Sequence, residues 1–363
     1  DSASRMERWK AVKVLITGEA GSRTLEVRLG GLPRRSSSLP LCATQLRRPQ
    51  LVAADGAKAS PLNRSGWAGC GFETEASRRI SGDYETRSIV TRLTNAIIIC
   101  APSNLGLRPE TDGHEPGTWE APSVLMAEGL QAAIGAVEVE WLSRPKYRFD
   151  AESGTRVRNG HGIRDYSVEL GGAVAAHLAA GNFPIVVGGD CSILLGCLLG
   201  ANAAGRVGLL HIDGHSDFFH PGNYDTQSRL RSAAGMDLAL ATGRGEGLLT
   251  HWPGIDGPLV RDEDVTQMGE RDALRAEYAQ YYGDIRDTAI NRIIVQDMLR
   301  DGMSATAKKV AEWVSRREVS RFWLHLDIDV LSEAVMPAVD SPGEPGLTFD
   351  QLSQLIARLT VQL

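Results

Sequence analysis

Three short stretches of this 363-residue chain end in side chains that bind cations and move protons. "VVGGDCS" closes on Asp190 and Cys191, "LLHIDGHSD" carries Asp213, His215 and Asp217, and "LHLDIDVL" carries Asp327 and Asp329. Each follows an apolar run of the kind that makes a buried strand. Alternate residues of a strand share a face, so Asp327 and Asp329 can point the same way, as can Asp213 and His215 while the chain stays extended. Four carboxylates brought together without cations repel one another and raise their own pKa values, and divalent metal removes that repulsion. A single Asp after a strand is ordinarily a cap or turn residue, and His177, His211 or His325 taken alone is ordinarily structural. Two D-x-[DH] pairs, with Asp217 completing a D-x-H-x-D array, point instead to a metal-assisted site.

The elements that must position these groups are legible from Asn95 onward. "NAIIICAP" reads as a short buried strand. "APSVLMAEGLQAAIGA" reads as a helix with Pro122 near its start and Met126, Leu130 and Ile134 on one face. "LGGAVAAHLAAG" repeats the helical pattern with Leu170, Val174 and Leu178, and Gly181 is placed to end it. "FPIVVGGDCSILLGCLLG" is a strand, a Gly-Gly-Asp turn and an apolar helix. The strands "RVGLLHIDGH", "DVTQMGERD" and "FWLHLDIDVL" follow, with the helix "SATAKKVAEWVSRRE" before the last. Apolar strands alternating with amphipathic helices predict an α/β fold with a parallel sheet covered on both faces. In such sheets a site lies beyond the carboxyl ends of the strands, where all three acidic stretches fall.

The 42% hydrophobic and 23% charged content is that of a chain able to bury a full core. A net charge of −6 offers no global reason to expect nucleic acid or an anionic membrane surface as partner. No apolar run reaches the roughly 18 residues of a membrane span. Five cysteines, without a charged and apolar leader, predict free thiols in a cytoplasmic protein. Residues 1–92 scatter Arg, Ser, Pro and Gly, as in "GLPRRSSSLP", and are expected to form a weakly folded or poorly ordered extension. Within it, "VKVLITGEAGSRTLEVRL" is a hairpin or a strand with a glycine turn; Gly18 and Gly21 fall short of a dinucleotide fingerprint.

Taken together, "GGDCS", "DGHSD" and "LDIDVL…SPGEPGLTFDQ" resemble, in the right order over about residues 95–363, the motifs of the ureohydrolases, the arginase and agmatinase superfamily. The resemblance implies a three-layer α/β/α fold around a mostly parallel sheet. It also implies a binuclear Mn²⁺ centre, with Zn²⁺ or Ni²⁺ as alternatives, whose bridging hydroxide cleaves a carbon–nitrogen bond of a guanidino or amidino compound. Carried over by position, Asp213 and Asp327 bridge the two metals, Asp217 binds the first, and His215 and Asp329 bind the second. A homo-oligomer, trimer or hexamer, is implied as well.

Several positions depart from that family's pattern. Cys191 stands where the family has the His of GGDHS; a thiolate there adds negative charge and favours Zn²⁺ over Mn²⁺ at the first site, and a small buried Cys after a glycine turn is the structural alternative. Phe219 and Ala234 stand at or near the positions of the carboxylate-holding Asn and the proton-shuttling His of arginases, so a substrate other than free arginine, or a lower specificity for it, is expected. His220 is the nearest substitute proton shuttle. Asn223, Asp272 and Gln351 are candidate substrate contacts, with Arg231 and Asp237 as further specificity positions; Gln351 replaces a Glu, and Thr348 three residues before it makes a capping box that explains both structurally. Family members continue past the "LTFDQ" helix with a strand near the middle of the sheet and a closing helix, whereas this sequence stops at "VQL". The domain from residue 93 to 363 is therefore expected either to fill the gap with another segment or to be an incomplete form. A catalytically silent subunit or ligand-binding partner is the alternative to an enzyme.

Overall fold

The computed structural model describes residues 12–17, 95–221, 223, 230–275 and 284–362. Compactness divides the chain into one unit of residues 1–29 and 90–363 and a second of residues 30–89, which lies outside the described residues. Apart from Val12–Thr17, the expectations for residues 1–92 also fall outside them.

Eight strands form a single sheet: β1 (Val12–Thr17), β2 (Ala96–Ala101), β3 (Glu138–Trp141), β4 (Phe183–Gly188), β5 (Gly208–Ile212), β6 (Val265–Met268), β7 (Asn291–Ile293) and β8 (Arg321–Leu326). Their order is β3-β2-β4-β1-β8-β5-β6-β7. All pairings are parallel except those of β1, which runs antiparallel to β4 on one side and β8 on the other. β1 lies between β4 and β8, and the inner edges of both find backbone partners in it.

Period-two alternation sorts the strand side chains into two cores. Ile97, Ile99, Val186, Leu209 and Trp323 pack with Leu170, Val174, Leu194 and Leu198 of the Gly160–Ala179 and Ile193–Asn202 helices. Ile98, Ile185, Val187, Leu210 and Leu324 face the other way, onto Met298, Val310, Leu355 and Leu359 of the helices Val295–Asp301, Met303–Val314 and Phe349–Gln362. This is the expected three-layer α/β/α arrangement. The first two helices cross closely enough that a Cβ at Gly200 would lie 2.5 Å from the carbonyl oxygen of Gly171.

Local signals hold where their geometry is short-range. Gly181 takes φ +76° and its N–H bonds the Leu178 carbonyl, ending the Gly160–Ala179 helix. The Thr348/Gln351 capping box forms in both directions: Thr348 N donates to Gln351 Oε1 (2.9 Å) and Gln351 N to Thr348 Oγ1 (3.2 Å). The helix expected over "APSVLMAEGLQAAIGA" is instead two, Ala121–Ala127 and Leu130–Ile134, because Gly129 between them adopts φ +90°.

Candidate metal centre

Register builds the site. β5 and β8 are parallel neighbours with His211 opposite His325 and Ile212 opposite Leu326, so Asp213 and Asp327 leave the sheet side by side. Their backbones stay tied as they leave: Asp327 N donates to Ile212 O (2.8 Å) and Asp213 N to Met268 O (2.9 Å). β4 delivers its turn from the far side of β1, and Cys191 Sγ donates to Asp327 Oδ2 at 2.9 Å.

Around these ends the side chains converge. Ligand atoms of Asp213, Asp327 and Asp329 lie within 4.8 Å of one another, as do those of Asp213, His215 and Asp217. Cys191 joins two further groupings, one with Asp213 and His325 and one with Asp217 and Asp237, and His211, Asp237 and His325 form a third. His215 Nδ1 is 3.0 Å from Asp329 Oδ2 and 3.8 Å from Asp213 Oδ1. Backbone donors hold the carboxylates in place. Asp327 Oδ1 accepts from Asp329 N (2.8 Å), Asp329 Oδ1 from Gly214 N (3.0 Å) and Asp213 Oδ1 from His215 N (2.7 Å). Arg271 braces the wall from behind, donating to the Asp329 carbonyl and to Ser341 O. Asp217 enters the cluster from a left-handed backbone, φ +46°, which costs a non-glycine residue about 1–2 kcal/mol and which Asp tolerates better than most.

The electrostatics fit a cation. Asp213 is 1% exposed, and its Oδ2 accepts no hydrogen bond among the described residues. Burial, then the negative charges of Asp217, Asp329, Asp327 and Asp237, hold its carboxyl well above the usual range. A buried acceptor surrounded by like charge is what a divalent ion satisfies, and hard oxygen donors beside an imidazole suit such an ion.

Other expected positions sort differently. Asp190 is wholly buried and structural: its carboxylate accepts from Ser103 Oγ (3.0 Å), Gly106 N (3.1 Å) and Ser192 N (2.9 Å), anchoring the glycine turn that presents Cys191. Asp272 Oδ2 lies 4.0 Å from His215 Nε2, and its Oδ1 pairs with Arg275 at 3.0 Å. His220 pairs with Asp284, and Asn223 bonds the His220 N–H (2.9 Å) and Phe218 O (2.9 Å). Arg231 is buried and bridges by backbone to Val157. Gln351 is engaged in its helix cap. None of His220, Asn223 and Gln351 belongs to a ligand grouping. His177 pairs with Glu140 at 2.7 Å, as a structural histidine does.

Reading residues singly undervalued His211, His325 and Asp237. For the two histidines the signal was available: each lies two residues before a site aspartate and so shares its face of the sheet. Asp237, expected as a specificity position, instead groups with His211 and His325 and with Cys191 and Asp217, reaching them through the long connection after Asp217.

The chain's relatives agree with this architecture. The family model for the arginase family matches residues 94–363. An arginase of Bacillus caldovelox is 30% identical over 203 residues, 56% of this chain and 64% of that one, so the match spans less than two thirds of that relative's length. An arginase of Staphylococcus aureus (strain COL) is 25% identical over 268 residues, 70% of this chain and 82% of that one. The crystal structure of an arginase from Bacillus cereus superposes with a TM-score of 0.59 at 26% identity, covering 72% of this chain and 84% of that one. With its family motifs at the carboxyl ends of adjoining strands, the chain belongs to the arginase family.

Proposed function

We propose that this protein hydrolyses a carbon–nitrogen bond of a guanidino or amidino compound, using two divalent cations held at the ends of β4, β5 and β8. The observation that carries the reading is the convergence of Asp213, Asp327 and Asp329, with Asp213, His215 and Asp217 beside them, inside 4.8 Å. Asp213, Asp327, Asp217 and Cys191 would hold the first ion, and Asp213, Asp327, His215 and Asp329 the second. Oxygen and imidazole donors suit Mn²⁺ at the second. When bound, two such ions supply Lewis acidity and make water nucleophilic near neutral pH.

The chain's own residues do the rest. The acidic rim attracts a cationic guanidinium head. His215 is 22% exposed in its side chain, more than any carboxylate of the cluster, and marks the side open to substrate. Asp272, 4.0 Å from His215, would meet a substrate amine, and His220, paired with Asp284, would carry protons. Phe219 packs against the core and supplies no polar group for an amino acid's carboxylate, and the buried Ala234 supplies no proton-carrying imidazole. We read the substrate as a guanidino or amidino compound other than free arginine, or the enzyme as less specific for it. Family resemblance supports a homo-oligomeric assembly; no helix among the described residues is long and apolar enough to cross a membrane.

The test is urea release from agmatine, guanidinobutyrate, guanidinopropionate, guanidine and arginine, with metal content measured alongside. Two ions per chain and turnover of one non-arginine substrate are expected. Two bound ions with no turnover of any of the five would overturn the reading in favour of a silent subunit.

A further inference from the structure

The family's first metal position takes an imidazole from the loop after β4, and here that residue is Cys191. A buried imidazole nevertheless reaches the same place from another element. His325, in β8 two residues before Asp327, puts its Nε2 3.5 Å from Asp213 Oδ2. Two ligands at about 2.1 Å from an ion, separated by a tetrahedral angle, stand roughly 3.4 Å apart. Ligand atoms of His325, Asp213 and Cys191 all lie within 4.8 Å of one another, and all three residues are 1% exposed or less. Asp213 Oδ2, the atom nearest His325 Nε2 in that pair, is buried and accepts no hydrogen bond among the described residues.

His211 is the competing imidazole. Its ring stacks on that of His325, centroids 4.4 Å apart and planes 3° from parallel. The in-plane lone pairs of parallel rings do not converge, so one ion takes one of the two. His211 Nε2 lies farther from Asp213 Oδ2, at 3.9 Å, and nearer Asp237 Oδ1, at 3.4 Å. It therefore backs the site through Asp237 while His325 faces Cys191.

We propose that Cys191 Sγ, Asp213 Oδ2 and His325 Nε2 together grip the first cation, the imidazole having moved from the β4 loop to β8. A sulfur and a nitrogen beside the carboxylates of that position favour Zn²⁺ over Mn²⁺ there, because thiolate is a soft donor. Binding replaces the thiol proton of Cys191 with the ion and releases that proton to solvent. The assignment rests on the two-cation reading above and names the ligands of one of its positions.

X-ray absorption at the zinc edge on the full chain loaded with Zn²⁺, and the near-ultraviolet spectrum of the Co²⁺-loaded chain, test it without any variant. One Zn–S distance near about 2.3 Å beside nitrogens at about 2.0–2.1 Å is expected, with a thiolate-to-cobalt charge-transfer band. Cys191→Ser removes both sulfur signatures. His325→Gln binds one ion fewer per chain, whereas Asp329→Asn, at the other position, keeps the sulfur-ligated ion. Two bound ions with no sulfur signature, or a folded His325→Gln that keeps the full complement, overturn this assignment and leave the two-cation reading standing. A native chain that binds no divalent ion overturns both.

Discussion

Asp213→Asn keeps the shape of the central ligand and removes its charge, so it separates what the carboxylate costs the metal-free fold from what it contributes to binding. In the metal-free protein Asp213 holds its proton above the usual carboxylate range, through burial first and its acidic neighbours second. A folded-state pKa raised above the unfolded value of about 3.9 contributes stability that is complete below that value and is lost as pH rises through the folded one. Each unit between the two costs about 1.4 kcal/mol, and the Asn variant does not titrate. At pH 7.5 the metal-free variant is therefore expected to melt no lower than the metal-free native chain, and the advantage disappears below pH 4. An ion at a hundredfold excess over its Kd adds about 2.7 kcal/mol per site. At about 2–4 °C per kcal/mol for a domain of this size, that raises the native Tm by roughly 5–11 °C for each ion bound. The variant, having lost a ligand common to both positions, rises by less than about 2 °C. Thermal denaturation with Mn²⁺ or a chelator, at both pH values and with elemental analysis of metal content, reads all of these. A variant that gains as much from metal as the native chain, with equal metal content, would refute the placing of Asp213 at the centre of the site.

Three further outcomes are expected. Gly189→Ala places a Cβ 1.6 Å from the Ser103 carbonyl oxygen, a backbone clash that no rotamer relieves; a loss of about 1–3 kcal/mol in urea denaturation is expected, with weaker metal retention as the Cys191 turn shifts. Thr348→Ala removes one side of the reciprocal cap on the Phe349–Gln362 helix and should cost about 0.5–2 kcal/mol by chemical denaturation, with metal content unchanged. Burial pushes the Cys100 thiol up to about 12; at pH 8 the folded protein should leave Cys100 unalkylated by iodoacetamide, as peptide mass spectrometry reads, and modify it only once unfolded.

What the amino-acid order determined by itself was local and periodic. While the apolar run at Ile193–Asn202 became a buried helix, short, largely apolar runs at Ala96–Ala101, Phe183–Gly188, Gly208–Ile212 and Arg321–Leu326 became buried strands. The acidic residues at their ends became a cluster, since parallel strands deliver their carboxyl ends to one edge of the sheet. Tertiary structure decided which of those residues meet. Asp190, equal to its neighbours as a string of letters, was drawn into the Ser103 and Gly106 turn, while Asp237 entered the cluster across a connection whose path no periodicity encodes. The stacking of His211 on His325 depends on the pairing register of β5 and β8, and the closure of the sheet depends on β1 arriving antiparallel from far away in the chain. Those partnerships rest on long-range hydrogen bonds and buried charge. Neither leaves a mark on the residues next to it in sequence, so only the folded chain reveals them.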